Sequence, residues 1–215
     1  MKRFLTAICC LCTLCMGALF FTSCDDDTID SIDLSGEWEG DMGMFMDVGG
    51  YRYDAHNTWI AFHPDYEWAT HGYGEEVDYF DSSCPYYCQN LYFEWRIKDQ
   101  VLYLTYPYNP NLDVAISDYR FTHSRTRLEF TINGEYFCRL NKLVDYQDNW
   151  YWWDHDNNIM RNNHEYHHYM TWAEYNLAKS RSGKPAETST SQESKPANFT
   201  LGRDFSKFER VNTNK

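Results

Sequence analysis

The sequence predicts an all-β protein: an eight-stranded antiparallel up-and-down barrel followed by a C-terminal helix and a disordered tail. Three observations carry that expectation. Between Leu34 and Val144, apolar residues recur at every second position in one short run after another. Turn-forming residues separate the runs, the clearest being Asn133-Gly134, a two-residue hairpin signal. Each run has one apolar and one polar face, and closing a meander on itself buries the first while removing exposed edges. A sandwich of seven or eight strands is the alternative that the same pattern allows.

The runs follow in order. Trp38 has Gly36 and Gly40 on either side, with Glu37, Glu39 and Asp41 on the other phase. Trp59-Ile60-Ala61-Phe62 is a second apolar strand, ended by His63-Pro64-Asp65. Tyr66–Thr70 continues the series, with Gly72 and Gly74 in the next turn or bulge and Val77–Phe80 a short strand. Leu91, Phe93, Trp95 and Ile97 alternate with Tyr92, Glu94, Arg96 and Lys98, the cleanest strand in the chain. Asp99-Gln100 turns it into Val101–Tyr106. After the loop Pro107–Asn111 come Leu112, Val114 and Ile116, then Leu128, Phe130 and Ile132, and finally Tyr136, Cys138 and Leu140. An eight-stranded barrel is filled by its own side chains or holds one small ligand.

The N-terminus reads as an address. Lys2 and Arg3 precede an apolar run from Phe4 to Phe21 that ends in Thr22-Ser23-Cys24, the form of a secretory signal occupying residues 1–23. A membrane span is the alternative, since the run is just long enough to cross a bilayer. Phe21-Thr22-Ser23-Cys24-Asp25-Asp26-Asp27 resembles the lipobox and acidic start of lipoproteins from Bacteroides-type bacteria. That resemblance implies lipid on Cys24, a mature chain beginning there, and export to the outer membrane or cell surface, with a periplasm-facing anchor as the alternative. Lipid chains anchor a protein without making it span. Residues 24–33 are expected to be a tether. Within it Asp27-Thr28-Ile29 and Asp30-Ser31-Ile32 resemble the O-glycosylation triplets of these bacteria, which would place sugar on Thr28 and Ser31.

The eight cysteines shrink accordingly. Four leave with the signal and Cys24 carries lipid, so Cys84, Cys88 and Cys138 remain. Cys84 and Cys88, in a turn-rich stretch outside the cytoplasm, are expected to close a small disulfide, with Cys138 a small apolar residue of a strand. A zinc site is the rival reading of Cys84 and Cys88, without a second Cys/His pair nearby.

Gly36-x-Trp38 on the first strand and Arg139 on the last resemble the lipocalin (calycin) pattern over residues 34–144, and Asp118-Tyr119 matches part of that family's Thr-Asp-Tyr element. The resemblance implies that Trp38 packs near Arg139 and closes one barrel end.

From residue 145 the pattern changes. An aromatic and histidine-rich segment over 145–179 contains a predicted helix from about Asn158 to Lys179, with Tyr166, Met170, Ala173 and Leu177 on one face. His164-Glu165-Tyr166-His167-His168 matches His-Glu-x-x-His, a zinc-binding spacing. Asp154, Asp156, Asn158 and Glu165 match part of a calcium-loop spacing, although Ile159 stands where the loop needs glycine. Metal binding stays open on this reading. Residues 180–215 are expected to be mostly disordered, with Phe205 and Phe208 marking a short docking element.

The chain carries a formal charge of −13, which argues against nucleic acid as a partner. The charge is uneven: residues 24–179 hold 10 basic and 28 acidic side chains, and the segment from 180 holds 7 and 4. No phosphate loop or Ser-His-Asp order stands out and no cofactor is implied, so the expected protein is non-enzymatic. Its first functional reading is a membrane-anchored barrel that binds a small apolar or amphipathic ligand, lined by Trp38, Ile60, Phe93, Trp95 and Val114. The alternative is a glycan- or protein-binding module using exposed Tyr and Trp, since aromatics make up 18% of the chain. A metal-dependent enzyme built on His164–His168 comes last.

Overall fold

The computed structural model describes residues 24–146, 169–173, 176 and 199–210. They form helix α1 (Cys24–Leu34) and eleven strands: β1 (Gly36–Gly40), β2 (Met44–Val48), β3 (Tyr51–Pro64), β4 (His71–Phe80), β5 (Tyr86–Lys98), β6 (Val101–Thr105), β7 (Val114–Thr122), β8 (Arg127–Ile132), β9 (Tyr136–Asp145), β10 (Tyr169–Thr171) and β11 (Phe199–Arg203). All pairing is antiparallel, and each of β3 to β8 is hydrogen-bonded to the strand that follows it.

The barrel closes through β1. Its Trp38 stands opposite Ile60 of β3 on one side and Lys142 of β9 on the other. Both edges of the first strand are therefore paired, which a two-sheet sandwich would not require, and eight strands form a closed ring. β2 prolongs β1 along the same edge of β3, with Phe45 opposite Asp54 and Val48 opposite Tyr51. The break falls at Asp41–Gly43, where Gly43 sits at φ 71° and its N–H is held by Asp41. From there β2 diverges from β9 and accepts β11 on its free side, Leu201 opposite Met46. β10 pairs the start of β5, where β6 does not reach.

The core is one contiguous cluster. Trp38, Ile60, Phe62, Phe93, Leu104, Ile116, Phe130 and Leu140 come from every barrel strand but β4, and each is at most 1% exposed. Met42, Met44, Met46 and Leu201 extend it beneath β2 and β11. Gly72 and Gly74, expected in a turn or bulge, lie inside β4. A Cβ at Gly74 would stand 2.1 Å from Phe93 Cζ and 2.4 Å from the Ala61 carbonyl oxygen, so glycine is what lets the Phe93 ring lie across the strand.

Several expectations are revised. Residues 24–33 are not a tether: they form α1, bound to the barrel by its acidic side chains. Asp27 accepts the N–H groups of Asp99 and Gln100, both at positive φ in the β5–β6 turn, and Asp30 accepts the Tyr119 hydroxyl. Asp33 pairs with Arg125 at 2.9 Å, and Leu34 enters the core. Tyr66–Thr70 is a turn, not a strand. The hairpin at Asn133-Gly134 has three residues between the paired Ile132 and Tyr136. Most of the helix expected from Asn158 to Lys179 lies outside the described residues; Trp172, Ala173 and Asn176 within it are helical, but Tyr169–Thr171 is strand, because the free edge of β5 offers its backbone ladder bonds. Of the tail expected to be disordered, Phe199–Arg203 is a strand, and the Phe205 and Phe208 rings pack on the core as the docking reading anticipated.

Candidate functional site

Two cross-strand rows on the outer face of β4, β5 and β6 build an open cleft. The register aligns Tyr73 with Glu94 and Glu94 with Thr105; one step further along, it aligns His71 with Arg96 and Arg96 with Tyr103. These are the polar-phase residues of strands whose other phase fills the core, so they face outward as neighbours about 5 Å apart. Together with Asp65 and Tyr92 they bound a cleft of about 590 Å³, floored by Gly72 and Trp95.

Aromatic packing holds the cleft wall in place. Tyr92, Tyr73, His63 and Tyr146 form a stacked series, with ring centroids 6.1, 5.0 and 5.1 Å apart and interplanar angles of 25°, 18° and 21°. Burial between two tyrosines disfavours the imidazolium, and it pushes His63 down to about 4. Tyr146 is fixed in turn by donating to Glu37, which also accepts the Trp59 indole N–H. Beneath the cleft, the Trp95 indole N–H is shared between the Tyr73 and His63 carbonyls at 2.9 and 3.2 Å, tying β5 to the β3–β4 corner. At the mouth, Arg96 lies over the Tyr103 ring at 5.7 Å, and His71 faces Asp65 at 3.4 Å.

The turn between β3 and β4 carries two further aromatics beside this cleft. Tyr66 and Trp68 are 59% and 60% exposed, and Tyr66 packs edge-on against His71 at 5.7 Å. Trp68 has φ 72°, a left-handed conformation that a bulky side chain adopts at a cost. The turn is pinned from behind by α1: the Ser31 hydroxyl donates to the Ala69 carbonyl. Aromatic faces, a carboxylate, a guanidinium and a hydroxyl thus line one open groove. That set can stack on the apolar face of a ring and exchange hydrogen bonds with its hydroxyl groups.

A second cleft, of about 510 Å³, lies between α1 and the turns on β7 and the β5–β6 hairpin, lined by Asp26, Asp30, Asp99, Asp118 and Tyr119. Burial and the neighbouring carboxylates raise Asp30 above the usual range, although its bond from Tyr119 opposes the shift. Among the described residues no cluster has the composition of a metal site.

The residues expected to line a ligand cavity all face inward, but they meet one another. Trp38, Ile60 and Phe93 are 0% exposed, Trp95 2% and Val114 6%, all in the single core cluster. Phe62 packs edge-on against both Phe93 and Trp95, at 5.5 and 6.2 Å. The barrel-closing pair differs from the expected one. Trp38 is fully buried and donates its indole N–H to the Leu34 carbonyl at 2.8 Å, and the cation over its ring is Lys142, at 5.1 Å. Arg139 is exposed and pairs with Glu129 at 3.3 Å, because its strand position points away from the core. Gly36, at φ 138°, lies against the Val144 carbonyl, where a Cβ would be 2.2 Å from the oxygen.

No disulfide joins Cys84 and Cys88, and both side chains are buried. Cys84 packs in the core cluster, whereas Cys88 is a register residue of β5 between Tyr79 and Met170. Cys138 is the small buried strand residue anticipated, its thiol pushed up to about 12 by burial. Of the two expected glycosylation positions, Thr28 is half-buried and Ser31 only 1% exposed, its hydroxyl facing Ala69. The His164–His168 motif, the calcium-like spacing over 154–165 and the signal over 1–23 lie outside the described residues. Among the described residues, no helix is long and apolar enough to cross a membrane.

Comparison with known proteins finds no matching family model, no matching curated protein and no matching solved structure.

Proposed function

We propose that this protein is a non-enzymatic binding module that takes a hydroxyl-rich ligand, a glycan, in the aromatic cleft on the outer face of β4, β5 and β6. One observation carries the reading: Tyr73, Tyr92 and Tyr103 share an open groove with Glu94, Arg96 and Thr105, while the barrel interior is occupied by its own side chains. In this reading the barrel is a stiff scaffold and the ligand lies across its wall. Tyr92 and Tyr103 supply stacking area, and the charged pair supplies directional hydrogen bonds. The lipobox-like sequence ending at Cys24 supports anchoring by lipid at the outer membrane or cell surface. Because α1 starts at that residue, an anchored barrel would sit close to the membrane.

A panel of soluble oligosaccharides, titrated against intrinsic Trp fluorescence, tests the binding reading. At least one sugar is expected to bind, and Tyr92→Ala and Tyr103→Ala are each expected to weaken it by roughly 2- to 10-fold, the value of a lost aromatic stacking contact. Binding unchanged in both variants would remove the cleft from consideration. Labelling with a fatty-acid probe in a bacterial host tests the anchor separately, since Cys24→Ser should abolish the label.

A further inference from the structure

An otherwise apolar barrel encloses a polar group on one wall. Glu76 and Asp78 of β4 are both 0% exposed; Glu76 stands between Ile60 and Leu91, and Asp78 between Thr58 and Gln89. Thr58 and Gln89 each donate to Asp78, at 2.6 and 2.8 Å. Tyr106, just past β6, is 1% exposed and donates its hydroxyl to Glu76.

Arg203, at the end of β11, reaches into this group and every N–H it carries is received. Nη1 meets Glu76 Oε1 and the Met42 carbonyl, both at 3.1 Å. Nη2 meets Glu76 Oε2 at 2.8 Å and the Tyr106 oxygen at 2.7 Å. Nε meets the Leu112 carbonyl at 3.4 Å. Five donors matched by five acceptors, with the carboxylate gripping in a fork, is complete recognition of a guanidinium. The Arg203 side chain is 3% exposed and the Glu76 side chain 0%.

Two features distinguish this from a simple structural ion pair. The guanidinium is delivered by an edge strand: β11 ends the sheet path and, among the described residues, pairs with β2 alone. Next to it, Gln89 donates to Asp78, and among the described residues its buried Oε1 has no hydrogen-bond partner. A buried ion pair adds little stability over an apolar pair of the same volume, so the arrangement specifies a chemistry more than it strengthens the fold.

We infer that Glu76, Tyr106 and the carbonyls of Met42 and Leu112 form a guanidinium-binding site inside the barrel, which Arg203 fills in cis and a small guanidinium compound can fill in its place. The site is independent of the outer cleft. Full-length Arg203→Ala, melted in the presence of methylguanidinium or methylammonium at millimolar concentrations, tests it. The variant is expected to melt below the wild type and to regain several degrees with methylguanidinium in a saturable way, as binding to the folded state alone requires. Methylammonium, which cannot grip both carboxylate oxygens in a fork, should return much less. The wild type, already filled, should not respond, and adding Glu76→Gln to the variant should abolish the response. If Arg203→Ala is unfolded in buffer, the same series is read as recovery of the near-ultraviolet dichroism of the folded protein. No saturable rescue, or an equal shift in the wild type, would overturn the site.

Discussion

Arg203 and Glu76, 127 residues apart in sequence, hold each other in a two-pronged pair at 2.8 and 3.1 Å inside the barrel. The pair joins the last strand to the wall formed by β4, so the C-terminal segment completes the core at the end where β2 turns away from β9. It also sets an energetic asymmetry. Removing one partner strands a buried charge, whereas removing both leaves only a volume to fill.

Single replacements Arg203→Met and Glu76→Leu are therefore each expected to cost about 3–5 kcal/mol, and the double replacement less than their sum. Urea unfolding of the three variants measures this. Additive losses would mean that the two side chains stabilise the barrel separately.

Asp78 gives the barrel a pH dependence of a definite sign. Burial, with Glu76 nearby, raises its carboxyl well above the usual range, against the bonds it accepts from Thr58 and Gln89. Below about pH 3.8, the ordinary carboxylate value, both folded and unfolded chains hold this proton and its contribution is complete. As the pH rises towards the raised folded value, the unfolded chain ionises first and stability is lost. Asp78→Asn mimics the protonated form. It should be more stable than the wild type at pH 7, and the difference should vanish as the pH falls to about 4, read from urea midpoints across that range. A variant less stable than the wild type at pH 7 would show that Asp78 is held ionised.

His63 acts in the opposite direction. Its neutral ring is sandwiched between Tyr73 and Tyr146, and its folded value of about 4 lies below the ordinary 6.5. Between those values the unfolded chain takes up a proton that the fold refuses, so stability falls as the pH drops from 6.5 to 4. A nuclear magnetic resonance titration should show the His63 ring signals unmoved until the pH nears 4. A midpoint near 6.5 would mean that the stack opens to solvent. The stack backs the outer cleft, so the same titration reports on the rigidity of that wall.

How much of this was legible in the sequence depended on which side chains face inward. From β5 to β9 the inward phase is mainly Leu, Phe, Trp, Ile and Val, with Gln89 and Cys138 as exceptions, and period-two alternation marks those strands. In β4 the inward phase contains Glu76 and Asp78, so only Val77–Phe80 read as strand and the wall that holds Arg203 was missed. Helix α1 has no apolar stripe to betray it. Apart from Leu34 at its end, its contacts are made by Asp27, Asp30, Ser31 and Asp33 acting as acceptors, donors and ion-pair partners, and an acidic run of that kind reads as a solvated linker. The free edge offered by β2 recruits β11, and nothing local in Phe199–Arg203 announces its partner. The outer cleft was legible only as a surplus of aromatics. Tyr73, Glu94 and Thr105 come together through the register of three strands, which spacing along one strand does not reveal.

Trp68 connects the strain of the turn to its use. A bulky residue at φ 72° with 60% of its surface exposed gains little from burial and bears the cost of the left-handed region, roughly 1 kcal/mol or more relative to glycine. The turn is nonetheless fixed on both sides, by the Ala69 N–H donating to the Tyr66 carbonyl and by the Ile97 N–H donating to the Thr70 carbonyl at 2.7 Å. Trp68→Gly should therefore leave the fold intact and raise its melting temperature by a few degrees, since glycine adopts this conformation without a Cβ clash. The same change should weaken glycan binding, because the indole is an exposed aromatic face on the turn that joins Asp65 to His71, both of which line the cleft. Calorimetric melting and fluorescence titration of one variant read both effects. A lower melting temperature would mean that the indole packs productively, and unchanged binding would confine the ligand to the groove between Tyr73 and Tyr103.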